Sequence, residues 1–250
     1  MSSARRGKIF VTPRFPRPIM TVVHRPMTDQ IQTIRPSRAQ AARNALLDAA
    51  LPHAVFEGWS SATLNLAARE AGYSEGEVQL YCPDGVLDLI ETWTRRCDAM
   101  ARAKIETNPV PRIRDKVGQA VLIRLNQYQG WKEAMTRARA RLLLPDGLER
   151  GARLIWASAH MIWGAIGDQS TDGNFYSKRA ILSGVYASTL AIWLGDDSED
   201  QAMTRAFLDR RIDNVMQVEK IKSQWRKLGA GLPNLSAMAA DLRYGLRRFG

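Results

Sequence analysis

From Arg43 to roughly residue 226, apolar residues return at helical spacing and nowhere alternate with the period of two that marks a strand. A chain patterned this way has one solution, helices stacked on helices. Leu46, Leu47, Ala50, Leu51, Ala54 and Val55 define a first helix, with Gly58 as its stop and Pro52 inside it, where a kink is expected. Ser61 opens a second short helix through Leu64, Ala67 and Ala68, which Gly72 closes. Ser74 and Glu77 have capping-box spacing and predict a third, ended by Pro83. Asp84 is expected to cap a fourth, running to about Glu106. After the Asn108-Pro109 boundary the pattern predicts helices at about 111–128, 131–144, 147–167, 173–194, 199–226 and 234–249.

The charge is unevenly placed. The net +11 resides in the two ends: residues 1–40 carry +7, residues 219–250 carry +5, and residues 41–218 carry −1. Residues 1–40, with five prolines, seven arginines and no helical period, are expected to be a disordered basic tail. Their arginine-rich, acid-poor composition is also that of a mitochondrial transit peptide, although no amphipathic helix accompanies it. Met27 offers an alternative start. No run reaches the ~18 apolar residues of a membrane span. Cys82 and Cys97 form neither a metal nor a disulfide pattern, which fits a reducing compartment.

Residues 45–76, from Ala45-Leu46-Leu47-Asp48-Ala49-Ala50 through Gly58-Trp59-Ser60-Ser61 to Ala67-Ala68-Arg69-Glu70-Ala71-Gly72-Tyr73-Ser74, resemble the amino-terminal three-helix unit of TetR-family regulators. In that family the third helix enters the DNA major groove. The departure is electrostatic. Residues 41–98 hold four basic and nine acidic residues, and between Ser74 and Asp88 there are four acids and no base. Nucleic-acid affinity depends on neutralising phosphates, so this headpiece is expected not to bind nucleic acid.

A second block is more specific. Gly167-Asp168-Gln169-Ser170-Thr171-Asp172-Gly173-Asn174-Phe175-Tyr176, followed by Arg179-Ala180 and Tyr186, resembles the signature of the ninth Coq protein family, a TetR-fold accessory of ubiquinone biosynthesis. The likeness extends over about 43–218, through Leu143-Leu144-Pro145 and Phe207-Leu208, Arg211-Ile212 and Asn214. Family members commonly carry Trp where this chain has Phe175. The resemblance implies a homodimer, an apolar pocket for an isoprenoid quinone precursor or phospholipid, and a partner, the late di-iron ring hydroxylase. A TetR-type regulator with a hydrophobic ligand pocket is the rival reading.

Catalytic and metal-binding motifs are lacking. His24, His53 and His160 are scattered, no Glu-x-x-His repeat is present, and neither a phosphate-binding loop nor a Gly-x-Ser-x-Gly elbow occurs. Asp168 and Asp172 are read as helix-capping residues before they are read as an acid/base pair. No catalytic residue, metal ligand or cofactor is assigned, and the chain is expected not to be an enzyme. Phe175 and Tyr176, with Ile162 on the preceding helix, are the expected partner-docking patch, since aromatics dominate interface hot spots.

Near the C-terminus, Leu235, Met238, Ala239, Leu242, Leu246 and Phe249 share one helical face, and Arg243 and Arg247 flank it. An apolar stripe edged by arginines is the pattern of a helix lying in an anionic membrane surface. The expected organisation is a tail (1–40), a helix-turn-helix headpiece (41–107), a helical lipid-binding and dimerisation domain built on helices 173–194 and 199–217 (108–218), and a basic linker with a membrane helix (219–250). The expected location is peripheral, on the cytoplasmic face of a bacterial membrane or, alternatively, the matrix side of the mitochondrial inner membrane.

Overall fold

Ser37 marks the first helix start: its hydroxyl accepts from the Gln40 amide at 3.2 Å, so α1 spans Arg38–Glu57 and begins five residues earlier than the apolar pattern suggests. The computed structural model describes residues 37–170 and 173–229. Helix α1 continues through Pro52 as one element, because Pro52 faces solvent and water can satisfy the carbonyl it leaves unpaired. Two short helices follow, α2 (Ser61–Ala71) and α3 (Glu75–Tyr81). The turn between them needs Gly72 in the left-handed region, at φ 74° and ψ 27°, with its amide bonded back to Ala68 and Arg69. The Ser74–Glu77 capping box is formed in both directions.

Helix α4 (Val86–Thr107) starts differently from expectation. Gly85 occupies the cap position without a side-chain bond, and Asp88 reaches back to the Asp84 amide at 2.8 Å. The Asp84 carboxylate is turned outward onto Arg150 instead. Helix α5 (Ile113–Leu125) ends three residues short of the expected 128 and tightens into a 3-10 turn, Asn126–Trp131, which bridges the expected break before 131. Helices α6 (Lys132–Leu142), α7 (Leu148–Ala165), α8 (Gly173–Leu194) and α9 (Ala202–Gly229), the last preceded by a short 3-10 turn, Glu199–Gln201, complete the described elements, which include no strand. The expected tail and the expected membrane helix, with Leu235, Met238, Leu242, Arg243, Leu246, Arg247 and Phe249, lie outside the described residues.

The headpiece is fastened to the body by aromatic and charged contacts. Trp59 donates its indole N–H to the Ala134 carbonyl at 2.9 Å and stacks on Trp93, which meets Tyr128 edge-on. Arg150 on α7 binds Asp88 at 2.8 Å and also contacts Asp84 and Glu91. Several of the headpiece acids therefore have internal partners. No basic residue joins them on α3, whose outer positions are Glu75, Gly76, Glu77, Gln79 and Leu80.

Candidate ligand cavity and docking surface

Helices α4, α6, α7 and α8 do not close completely on one another. They leave a cavity of about 440 Å³ walled by Met135, Leu142, Leu154, Ile155, Ala187 and Leu190, among others. That size falls within the range of small-molecule sites, and the lining is mostly apolar. One wall is polar: Thr94, Tyr128, Ser158, Ser183 and Tyr186. The Ser183 hydroxyl is buried without a hydrogen-bond partner. Burial pushes the Tyr128 and Tyr186 phenols up, so both stay neutral at physiological pH.

Behind this wall lies a buried ion pair. Arg124 is 0% exposed and donates from Nε to Asp98 Oδ1 at 2.5 Å, from Nη2 to Tyr128 Oη at 2.7 Å and to the Thr94 carbonyl at 3.3 Å. Ser158 donates to the same Asp98 oxygen at 2.8 Å. Arg124 Nη1 is buried and unpartnered. The cluster fixes the rotamers of three cavity-lining side chains, Tyr128, Thr94 and Ser158. Nothing in the motif content flagged it. The available signal was periodicity: Asp98 lies on the face of Thr94, Cys97, Ala101 and Ile105, and Arg124 on that of Ala120, Val121 and Tyr128, where only buried residues otherwise occur.

A second apolar cavity, about 220 Å³, lies between α5, α7, α8 and α9 and is lined by Ile113, Val117, Trp163, Ile181, Val185 and Ile212, among others. Lys178 also lines it and leads to the polar block of the sequence. Asp168, expected to cap a helix, instead anchors a cross-loop network. It accepts from Lys178 at 2.8 Å, Ser170 at 2.8 Å and Arg179 at 3.3 Å. Burial raises its carboxyl, but these donors prevail and hold it below the ordinary carboxylate range. Arg179 is itself buried. Its Nε donates to His160 Nδ1 at 2.8 Å, and its guanidinium lies 3.4 Å from the centre of the Phe175 ring. His160 therefore carries its ring proton on Nε2 if neutral. Asp172 lies outside the described residues.

This arrangement sorts the expected docking residues. Tyr176 is 67% exposed and meets Phe175 edge-on at 5.1 Å between ring centres. Phe175 is half-buried, held by Arg179 beneath it. Ile162 is a correction: it is 0% exposed, so it supports α7 from within and presents nothing to a partner. Among the described residues no group of His, Cys, Asp and Glu is placed to hold a metal ion.

The comparisons with known proteins bear on this same region. Residues 148–219 match the family model described as COQ9. The resemblance to the ninth Coq family is thereby borne out. The match covers α7, α8 and the first two thirds of α9, hence the Asp168 network, Phe175, Tyr176 and walls of both cavities. Similar proteins named "Ubiquinone biosynthesis protein COQ9, mitochondrial" include the rat protein, 29% identical over 76% of this chain and 64% of its own length. The human one is 27% identical over 76% and 62%. That of Xenopus tropicalis is 29% identical over 79% and 65%. The chain thus spans a little under two thirds of each of these three relatives. Their names place those relatives in mitochondria, which fits the mitochondrial alternative and lends no support to the bacterial one. A TetR transcriptional regulator from Nitrosomonas europaea has a similar structure, with a TM-score of 0.55 at 19% identity over 69% of this chain and 97% of that one. The TetR-like helical fold is therefore established. Among the described residues no helix is long and apolar enough to cross a membrane.

Proposed function

We propose that this chain is a non-catalytic, lipid-binding accessory protein of ubiquinone biosynthesis, acting at the matrix side of the mitochondrial inner membrane. It takes up an isoprenoid quinone precursor and presents it to the late di-iron ring hydroxylase. The observation that carries this reading is the 440 Å³ apolar cavity with one polar wall, in a chain whose α7–α9 region matches COQ9. A prenyl chain suits the apolar walls, each buried CH2 contributing about 0.8 kcal/mol. A ring oxygen suits the unpartnered Ser183 hydroxyl and the neutral Tyr186 phenol. A phospholipid is the other ligand such a cavity takes.

The docking surface is Tyr176, set on Phe175, which Arg179 and the Asp168 network hold in place. A homodimer pairs through α8 and α9, whose exposed positions Ala180, Gly184, Ala202 and Ala206 let backbones approach. The C-terminal stripe from Leu235 to Phe249 supplies the membrane foot on anionic lipid.

The test is reconstituted hydroxylation. Vesicles carrying the prenylated precursor are mixed with the purified hydroxylase, with and without the full chain. The rate rises with the chain, and the Tyr176→Ala variant abolishes the rise. An unchanged rate with the unsubstituted chain overturns the presenting role. Sub-micromolar binding of the chain to one DNA sequence over others would restore the regulator reading.

A further inference from the structure

Three of the nine large hydrophobic side chains exposed among the described residues fall within six positions: Leu143 at 58%, Leu144 at 50% and Leu148 at 54%. All three sit at the α6–α7 turn. Leu143 and Leu148 also line the 440 Å³ cavity, so the exposed rim and the cavity wall are one continuous apolar surface. We infer that this turn is the door of the cavity and a membrane-contact point, through which the hydrocarbon chain of a bilayer lipid enters. The inference rests on the lipid-binding reading above.

The turn is built to keep its leucines outward. Gly147 permits a path that no other residue allows, since a Cβ there would come within 2.8 Å of the Arg141 carbonyl oxygen. Arg141 closes the same turn with two bonds to the Asp146 carboxylate, 2.9 and 2.6 Å. Pro145 restricts it further. A flexible loop would fold three leucines onto the protein; a braced one holds them in water, at a standing cost unless something apolar covers them.

The charge at the mouth indicates what covers them. Arg139 lines the cavity entrance and is exposed, and its guanidinium makes no hydrogen bond or ion pair among the described residues. An apolar tip beside an unpaired guanidinium matches a bilayer, where acyl chains take the leucines and lipid phosphates take the arginine. A lipid chain drawn in along Leu143 and Leu148 would exchange bilayer contacts for Met135, Leu154 and Leu190 without crossing water.

The test uses the full chain. A Leu144→Cys variant is labelled with an environment-sensitive fluorophore and mixed with phosphatidylcholine–phosphatidylglycerol vesicles. Blue-shifted, brighter emission is expected on vesicles and not with buffer. No change at this position on vesicles that retain the protein, or a change only when the hydroxylase is added, overturns the inference and makes the turn a protein-docking site. A second arm follows geranylgeraniol by native mass spectrometry. In a Leu144→Asp variant, which leaves the cavity-lining residues in place, uptake from vesicles should slow about tenfold while final occupancy from detergent stays equal to the unsubstituted chain. Equal uptake rates overturn the door. Failure of the unsubstituted chain to take geranylgeraniol from detergent overturns the cavity reading itself, which separates the two failures.

Discussion

Arg124 and Asp98 face each other across α5 and α4 at 2.5 Å, the guanidinium wholly buried and the carboxylate shared with Ser158. A charge taken out of water is tolerated only while its partner stays. The Asp98→Asn variant leaves Arg124 uncompensated and should lose about 3 kcal/mol of stability. Equilibrium urea denaturation checks this, and a loss under about 1 kcal/mol would mean that water reaches the pair.

The two docking aromatics should separate in mutagenesis. Tyr176→Ala removes an exposed ring and should change stability by no more than about 0.5 kcal/mol while abolishing binding to the hydroxylase. Phe175→Ala removes the ring packed on Arg179 and should destabilise by about 1–2 kcal/mol as well. Melting curves beside a pull-down read both effects. Equal destabilisation by the two changes would place Tyr176 in the packing.

The α8–α9 corner sets an acid limit. Asp196 is buried; burial pushes its carboxyl up, but bonds from Ser198 and from the Thr204 amide (2.7 Å) and hydroxyl (2.5 Å) outweigh that and hold it far below the ordinary range. A carboxyl with a lower pKa folded than unfolded stabilises the fold above the unfolded value, about 3.9. That contribution is lost as pH falls from there through the folded value. Stability should therefore hold from pH 7 to about pH 5 and drop below about pH 4, Asp168 adding to the same trend. Asp196→Asn should cost about 2 kcal/mol at pH 7 and flatten the acid limb. An unchanged limb would show that other carboxylates set it.

Both cysteines should be silent in the native chain. Burial pushes the Cys82 and Cys97 thiols up to about 11 each. At pH 8 few are thiolate, the species that reacts. An aromatic disulfide reagent should release almost no colour until denaturant is added, then titrate two thiols. Rapid release from folded protein would reveal an open path to one of them.

Much of this architecture is legible in the chain itself. Gly72, Ser74 and Glu77 announce the headpiece because left-handed turns and capping boxes are local chemistry. The helices after it follow from spacing alone. Long-range choices are not written locally. Asp84 has the composition of a cap but is claimed by Arg150, 66 residues away. Asp168 is likewise drawn to Lys178 and Arg179. Ile162 and Tyr176 look equally available in sequence, and only packing shows one at 0% and the other at 67% exposure. The cavity is a property of four helices failing to close, so no stretch of sequence encodes it.

On the proposed function, the cavity between α4, α6, α7 and α8 holds a prenyl lipid. Native mass spectrometry of the full chain, purified from cells that make ubiquinone, tests it together with an Ala187→Trp variant that fills the cavity from α8. A dimer mass carrying prenyl lipid is expected in the unsubstituted protein, and a dimer without it in the variant, at similar melting temperature. Lipid-free protein in both, or the same lipid retained by Ala187→Trp, would contradict it.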